Sequence, residues 1–323
     1  MRGVFLDQST LIGQGSGKGA DVDLSLLSGL FQHWLTYEQT PPELTASRIR
    51  GADVVITNKV VLGQACLQHG TSPGLVCVAA TGTNNVDIEA AARAGIVVTN
   101  VRGYATPSVT EHVFALMLAL VRRLPDYQRL VASGQWQRSE QFCLLDVPLV
   151  ELAGRTLGIV GYGELGQSVA RVARAFDMRV SIAARPGTAP GEGRVALAQL
   201  LTEVDILSLH CPLSENTVNL IGAEQLALMK PDALLINTAR GGIVDEQALA
   251  AALRSGRIGG AAVDVLVTEP PREGSPLLAA DIPNLIVTPH IAWASRESRQ
   301  RLVNEIAANI QAWMRGEARN RVV

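Results

Sequence analysis

Three ionisable residues in the last third of the sequence each stand just after a short apolar run of strand character. LINTARGG places Arg240 there, AAVDVLVTEPP places Glu269, and LIVTPHIAWAS places His290. Ligands of open parallel α/β sheets bind at the carboxyl ends of the strands, so these positions are the first to ask for chemistry. A guanidinium can clamp a carboxylate and polarise a carbonyl, an imidazole can deliver a proton, and a carboxylate beside the imidazole favours its protonated form. Converging beside a hydride donor, the three make the group set that reduces the carbonyl of an oxo acid. Taken singly, each has a plainer reading: Arg240 as the cap of a turn, Glu269 as the start of a proline-rich loop, His290 as a buried hydrogen-bonded histidine. His112, in VTEHVF, falls on a helical pattern and reads as structural. A Cys211 nucleophile with His210 as its base is disfavoured, because neighbours on a strand point to opposite faces.

A hydride donor is indicated by TLGIVGYGELGQSVARVARAF, in which Gly161, Gly163 and Gly166 follow an apolar strand and open a helical pattern. G-x-G-x-x-G alone is a weak signal, equally a glycine-rich turn of an ordinary α/β protein. In this context Gly161 permits a tight turn, Gly163 lets backbone approach a pyrophosphate, and Gly166 allows close helix–strand packing, while the helix N-terminus supplies N–H groups. The expectation is a dinucleotide, and the turn at His210, Cys211 and Pro212 falls near its adenosine. The next strand, in VSIAARPG (180–187), ends in Ala184 and Arg185 where an Asp or Glu usually reads the ribose hydroxyls. Without that acid nothing repels a 2′-phosphate, and a guanidinium fork suits one. NADP(H) is therefore expected over NAD(H), which stays possible; the plainer reading of Arg185 is a solvated loop residue. GQGSGKGA (13–20) has the look of a phosphate loop but lacks its first glycine and the Ser/Thr after the lysine, so a surface loop is expected.

The elements that must position these residues are short β-branched runs alternating with helical patterns. VFLD (4–7), DVVITN (53–58), LVCVAAT (75–81) and IVVTN (96–100) form a first series; from 156, TLGIV, RVSIA, DILSLH, ALLINTA, GGAAVDVLV and LIVTPH form a second. Such alternation implies parallel sheets built from right-handed crossovers, and two series suggest two α/β domains. Helical stretches are expected around 44–50 and 88–94, with long helices at 108–123 and 295–314; the last puts Leu302, Ile306 and Ile310 on one face. A chain of 323 residues, 47% hydrophobic and 18% charged, has the length for about two domains and the apolar content for large cores. A net charge of −2 gives no electrostatic reason to seek nucleic acid. Cys66, Cys77, Cys143 and Cys211 lack the Cys-x-x-Cys spacing of a metal or redox site, so no metal is expected and reduced thiols of a cytoplasmic protein are. VFALMLALV (113–121) is too short to span a bilayer, and Asp7 interrupts the N-terminus before a signal-peptide core has formed.

INTARGG, VDVLVTEPP, TPHIAWAS, GYGELG and TGTNNVDIEAAARAGIVVTN (81–100), in this order along nearly the whole chain, resemble the D-isomer-specific 2-hydroxyacid dehydrogenases. TNKVVL (57–62), SLHCPL and PHIAWAS lean toward its glycerate dehydrogenase and hydroxypyruvate (glyoxylate) reductase branch. The resemblance implies two Rossmann-like domains, flavodoxin-like and doubly wound NAD(P)-binding, with parallel sheets and a cleft between them. The substrate domain would be discontinuous, 1–102 plus 291–323, around a cofactor domain of 103–290. It implies Arg240 as substrate clamp, His290 as acid/base and Glu269 as its partner. Backbone N–H groups of Ala80, Thr81 and Gly82 would meet the substrate carboxylate, and Asp264 with the Thr238–Ala239 backbone would meet the nicotinamide amide. Glu164, Leu165, Thr110 and Thr217 complete the expected cofactor contacts. The departure from NAD-dependent members is again Ala184 and Arg185. The implied reaction is reduction of hydroxypyruvate or glyoxylate to the D-2-hydroxy acid, in a homodimer. D-lactate and 3-phosphoglycerate dehydrogenases share the plan, though the chain stops after its closing helix, where many phosphoglycerate enzymes add a regulatory domain. Formate dehydrogenases carry Gln where Glu269 stands. The rival from another class is a dinucleotide-sensing binding protein on the same scaffold.

Overall fold

The computed structural model describes residues 1–12, 21–67 and 73–323; the phosphate-loop lookalike at 13–20 lies outside them. Two all-parallel sheets organise the chain. The first contains Arg2–Phe5 (β1), His33–Thr36 (β2), Val54–Thr57 (β3), Leu75–Val78 (β4) and Val97–Thr99 (β5), in the order β2-β1-β3-β4-β5. The second contains Thr156–Val160 (β6), Arg179–Ile182 (β7), Ile206–Leu209 (β8), Leu234–Asn237 (β9), Gly260–Val263 (β10) and Leu285–Val287 (β11), in the order β11-β10-β9-β8-β6-β7. β3, β4, β8, β9 and β10 are buried along their whole length, as expected where helices cover both faces of a parallel sheet and alternation gives way to continuous apolar runs.

The chain divides into two units, Met1–Ala105 with Trp293–Val323, and Thr106–Ala292. In the first unit, Leu302, Val303, Ile306, Ala307 and Ile310 of the helix Arg296–Met314 pack with Phe5, Val54, Ile56, Leu75 and Cys77. Its N-terminus is capped by Ser295, which accepts from the Ser298 N–H at 3.2 Å. In the second unit the helix Thr106–Val121 buries Val113, Phe114, Met117 and Leu120, and packs against the helix Glu164–Ala175 and against β9 and β10. Among the described residues no helix is long and apolar enough to cross a membrane.

Among the elements that the apolar pattern does not announce, two stand out. β2, with sequence HWLT, is an edge strand whose residues are mostly exposed, so no burial imprints a period on it. The helix Leu124–Ala132 buries none of its residues within the chain. β7 also stops two residues earlier than its sequence suggests, at Ile182. The chain then pairs Ala183 in parallel with Val195, and the Ala184 N–H donates to the Val195 carbonyl at 2.7 Å.

Candidate active site

His290 and Glu269, twenty-one residues apart in sequence, are brought into contact. Nδ1 of His290 lies 2.6 Å from Oε2 of Glu269. The other carboxylate oxygen, Oε1, accepts the Leu266 N–H at 2.9 Å, which fixes the plane of the carboxylate. Glu246 holds the same loop from the helix Glu246–Arg254: one oxygen accepts the Val267 N–H and the other the Ser275 hydroxyl, each at 2.7 Å. The peptide bond between Glu269 and Pro270 is cis.

The imidazole is aimed by its backbone. His290 has φ 55°, in the left-handed region that costs a residue with a Cβ on the order of 1 kcal/mol or more. Asp264, buried just past β10, holds the turn that requires it. The Asp264 carbonyl accepts the His290 N–H at 2.8 Å. Its carboxylate accepts from the Thr288 hydroxyl at 2.5 Å, the Ile291 N–H at 2.9 Å and the Ala292 N–H at 2.8 Å. His112, from the helix Thr106–Val121, adds Nε2 at 3.1 Å from the Thr288 hydroxyl and 3.6 Å from the Asp264 carboxylate. The sequence pointed to His112 only as structural, and the family resemblance implied Asp264 as a nicotinamide contact. Their joint hold on the turn of His290 has no local signal, because it joins three segments remote in sequence.

Arg240 follows β9 on a turn closed by Asn237. The Asn237 side chain donates to the Arg240 carbonyl at 3.0 Å and accepts the Ala239 N–H at 3.1 Å. The guanidinium is exposed, donates from Nη1 to the Ala239 carbonyl at 2.7 Å, and among the described residues pairs with no carboxylate. Gly241 beside it is required by close approach: a Cβ there would run into the Leu266 carbonyl. The ends of β9 and β10 thus touch, so Arg240 is next to the loop that carries Glu269.

At the other side of the same sheet edge lies the glycine turn. Gly161 has φ 93°, and a Cβ on it would collide with the backbone of His210 and Cys211 after β8. A Cβ on Gly166 would strike the Gly161 carbonyl, whereas one on Gly163 would meet nothing within 4 Å. Gly163 caps the helix Glu164–Ala175 without a side-chain hydrogen bond, so the N–H groups of Glu164, Leu165 and Gly166 stay available to an anion. Thr238, after β9, has a buried hydroxyl with no hydrogen-bond partner among the described residues, as expected of a group awaiting a ligand. These features fit a dinucleotide: open space at Gly163, uncapped N–H groups, and an orphaned hydroxyl along one edge.

The remaining residues singled out in the sequence are placed as follows. The Glu164 carboxylate accepts the Thr106 hydroxyl at 2.5 Å. The Thr110 hydroxyl donates to the Thr106 carbonyl within its helix. The Thr217 hydroxyl donates to the Pro212 carbonyl and accepts the Ser214 N–H, each at 2.7 Å, and so builds the turn after β8. Burial holds the His210 imidazole at a pKa of about 4, with Nε2 2.9 Å from the Ser208 hydroxyl, and pushes the Cys211 thiol up. Ala184 is 8% exposed and Ala239 9%, while Arg185 is exposed. Ala80, Thr81 and Gly82 follow β4 in the first unit, tied to the end of β5 by the Thr81 hydroxyl on the Val101 carbonyl and the Asn100 amide on the Thr81 carbonyl. Among the described residues no cluster of His, Cys, Asp and Glu is arranged to hold a metal ion.

Comparison with known proteins gives this geometry a context. The family model of the D-isomer specific 2-hydroxyacid dehydrogenase NAD-binding domain matches residues 114–292, more than half of the chain. The chain is 45% identical to a glycerate dehydrogenase of Methylorubrum extorquens over 98% of its own length and 97% of that protein's. It is 37% identical to a hydroxypyruvate reductase of Blautia hydrogenotrophica, over 87% and 88% respectively. The solved structure of an NADPH-dependent glyoxylate/hydroxypyruvate reductase from Sinorhizobium meliloti, in complex with NADP and malonate, superimposes with a TM-score of 0.80 at 29% identity, covering 100% of this chain and 97% of that one. An imidazole–carboxylate pair on the same sheet edge as the glycine turn, matched along nearly the full length of such relatives, places this chain in the D-isomer-specific 2-hydroxyacid dehydrogenase family, an NAD(P)-dependent group of oxidoreductases.

Proposed function

We propose that the chain reversibly reduces a small 2-oxo acid, hydroxypyruvate or glyoxylate, to the D-2-hydroxy acid, with NADP(H) preferred and NAD(H) accepted. The observation that carries this reading is the Glu269–His290 pair, held at 2.6 Å on the sheet edge that also bears the glycine turn. The names of the relatives support the substrate class, and the NADP complex of the Sinorhizobium enzyme supports the cofactor.

A nicotinamide held along this edge would be the source of the hydride that reduces the substrate carbonyl carbon. Arg240 binds the substrate carboxylate and polarises the carbonyl. His290 gives its proton from Nε2 to the carbonyl oxygen as negative charge develops there, and Glu269 stabilises the imidazolium through Nδ1. Asp264, with the backbone of Thr238 and Ala239, holds the nicotinamide amide, and the N–H groups of Ala80, Thr81 and Gly82 serve the substrate carboxylate. Gly161, Gly163, Glu164, Leu165 and Gly166 take the pyrophosphate, with Thr110 beside it, while His210, Cys211, Pro212 and Thr217 flank the adenosine. Ala184 removes the acid that would repel a 2′-phosphate, and Arg185 supplies a charge-assisted contact, an effect of about 1.5 to 3 kcal/mol or roughly ten- to a hundredfold in affinity.

A homodimer in the cytoplasm completes the reading. Residues 133–145 expose Trp136, Phe142 and Leu145, the last two 89% and 80% accessible, apolar surface that a second copy would cover. Light scattering giving a monomer would remove that part.

The decisive assay mixes the protein with NADPH and a panel of 2-oxo acids and follows the loss of NADPH absorbance. Turnover with hydroxypyruvate or glyoxylate is expected. No decay with any member would favour a non-catalytic dinucleotide sensor. Equal catalytic efficiency with NADH and NADPH would reject the cofactor preference.

A further inference from the structure

We infer that Arg194 is a second cationic ligand of the adenosine 2′-phosphate, acting with Arg185 to select NADP(H); the inference rests on the cofactor preference proposed above. It starts from how the chain behaves after β7. The strand ends at Ile182, the loop leaves, and the chain returns at Val195, whose N–H donates to the Ile182 carbonyl at 3.0 Å and whose carbonyl accepts the Ala184 N–H at 2.7 Å. This return is parallel, with Ala183 opposite Val195. Whatever precedes Val195 is therefore delivered to the carboxyl end of β7, the position at which a dinucleotide fold reads the ribose. That residue is Arg194.

The guanidinium of Arg194 lies between two parts of the nucleotide edge. Nη1 donates to the Ala183 carbonyl at 3.3 Å, and Cζ stands 5.8 Å from the ring centroid of Tyr162, the second residue of the glycine turn. The carbonyl anchors one nitrogen beside the ring, and most of its N–H groups remain to be used. Among the described residues neither Arg194 nor Arg185 forms an ion pair with a carboxylate. Arg185 is placed by a separate device: its carbonyl accepts both the N–H and the hydroxyl of Thr188, at 3.0 and 2.8 Å, while its side chain stays exposed.

The strand end thus presents two unneutralised guanidinium groups, one anchored and one solvated, and at Ala184 no acid. A phosphate monoester carries up to two negative charges and several acceptor oxygens, which two forks match better than one. The free 2′-hydroxyl of NAD(H) offers them nothing comparable.

The test reads binding by calorimetry on the intact chain, with adenosine 2′,5′-bisphosphate and 5′-AMP as probes. Wild type should prefer the bisphosphate. Arg194→Ala should weaken the bisphosphate by roughly ten- to a hundredfold and leave 5′-AMP within about twofold. Arg194→Gln should do the same, and it keeps the loop's hydrogen-bonding capacity should the alanine variant fold poorly. If Arg185→Ala loses the bisphosphate and the Arg194 variants do not, the inference falls while the cofactor preference stands. If the Arg194 variants weaken both probes equally, Arg194 serves the adenine instead and the inference also falls. A wild-type protein that binds both probes alike would sink the preference itself.

Discussion

Both sheets reverse their strand order beside their first strand, β1 in one unit and β6 in the other, yet the two reversal points are used in opposite ways. Such a point opens a crevice at the carboxyl ends, where ligands of α/β proteins bind. In the first unit the crevice between β1 and β3 holds Asp7, whose carboxylate accepts the N–H groups of Asn58, Lys59 and Val60 at 2.9, 2.6 and 3.1 Å. Burial raises the pKa of this acid, and the three N–H groups oppose the rise. In the second unit the crevice between β6 and β8 is lined by the glycine turn, with nothing within 4 Å of a Cβ on Gly163. One crevice contains the protein's own anion; the other offers its N–H groups to a foreign one. Topology makes the crevice, and the side chains around it decide whether a ligand enters.

A second buried aspartate extends the comparison. Asp264, like Asp7, stands just past a strand and gathers backbone N–H groups from the loop of another strand. The Asp7 clamp closes a loop, whereas the Asp264 clamp sets the φ of His290. The same device is structural in one unit and, in the other, positions His290, the acid/base proposed above.

The largest effect expected from this contrast is at His290. His290→Gln should lower kcat by about 10²- to 10⁴-fold, the range of general acid catalysis, with NADPH affinity by fluorescence titration nearly unchanged; retained turnover would remove the second unit's claim to the chemistry. Next come the two clamps. Asp7→Ala and Asp264→Ala each strand several buried or part-buried donors and should each cost roughly 2 to 4 kcal/mol of stability in denaturant titration. They should differ in kinetics, because only Asp264→Ala should also depress kcat, and equal kinetic damage from both would break the contrast. Converting one crevice into the other is a smaller change: Gly163→Asp puts an anion where the first unit already has one. The backbone there, φ −80°, accepts a side chain, so NADPH affinity should fall at least about tenfold with the melting temperature preserved.

The smallest effect is the pH response of His210. Its native pKa of about 4 lies below the ordinary histidine value of about 6.5. Between the two, the unfolded chain binds a proton that the native protein does not, so stability is complete above 6.5 and falls as pH drops toward 4. The residue as a whole is only half-buried, which limits the loss to about 2 kcal/mol or less. Denaturant titrations at pH 7 and pH 5 should show it in wild type and not in His210→Gln.

Much of this was legible before any coordinates. The strands of the second sheet are apolar runs bounded by turn residues, the glycine turn has its own spacing, and Arg240, Glu269 and His290 each follow a run. β2 was not legible because an exposed edge strand carries no burial pattern. Arg194 was not, because its place depends on a parallel pairing between Ala183 and Val195 across a loop of polar and small residues. Asp7 reads in sequence as little more than the end of an apolar run, and the three N–H groups it gathers begin fifty-one residues later.

The sequence by itself determined the class of fold, the nucleotide turn and the identity of the groups at the strand ends, because periodicity and glycine spacing act over a few residues. Tertiary structure alone decided which groups meet. Crossovers bring loops tens of residues apart to one sheet edge, and the hydrogen bonds made there pair His290 with Glu269, fix its backbone through Asp264, and fill one crevice while leaving the other open.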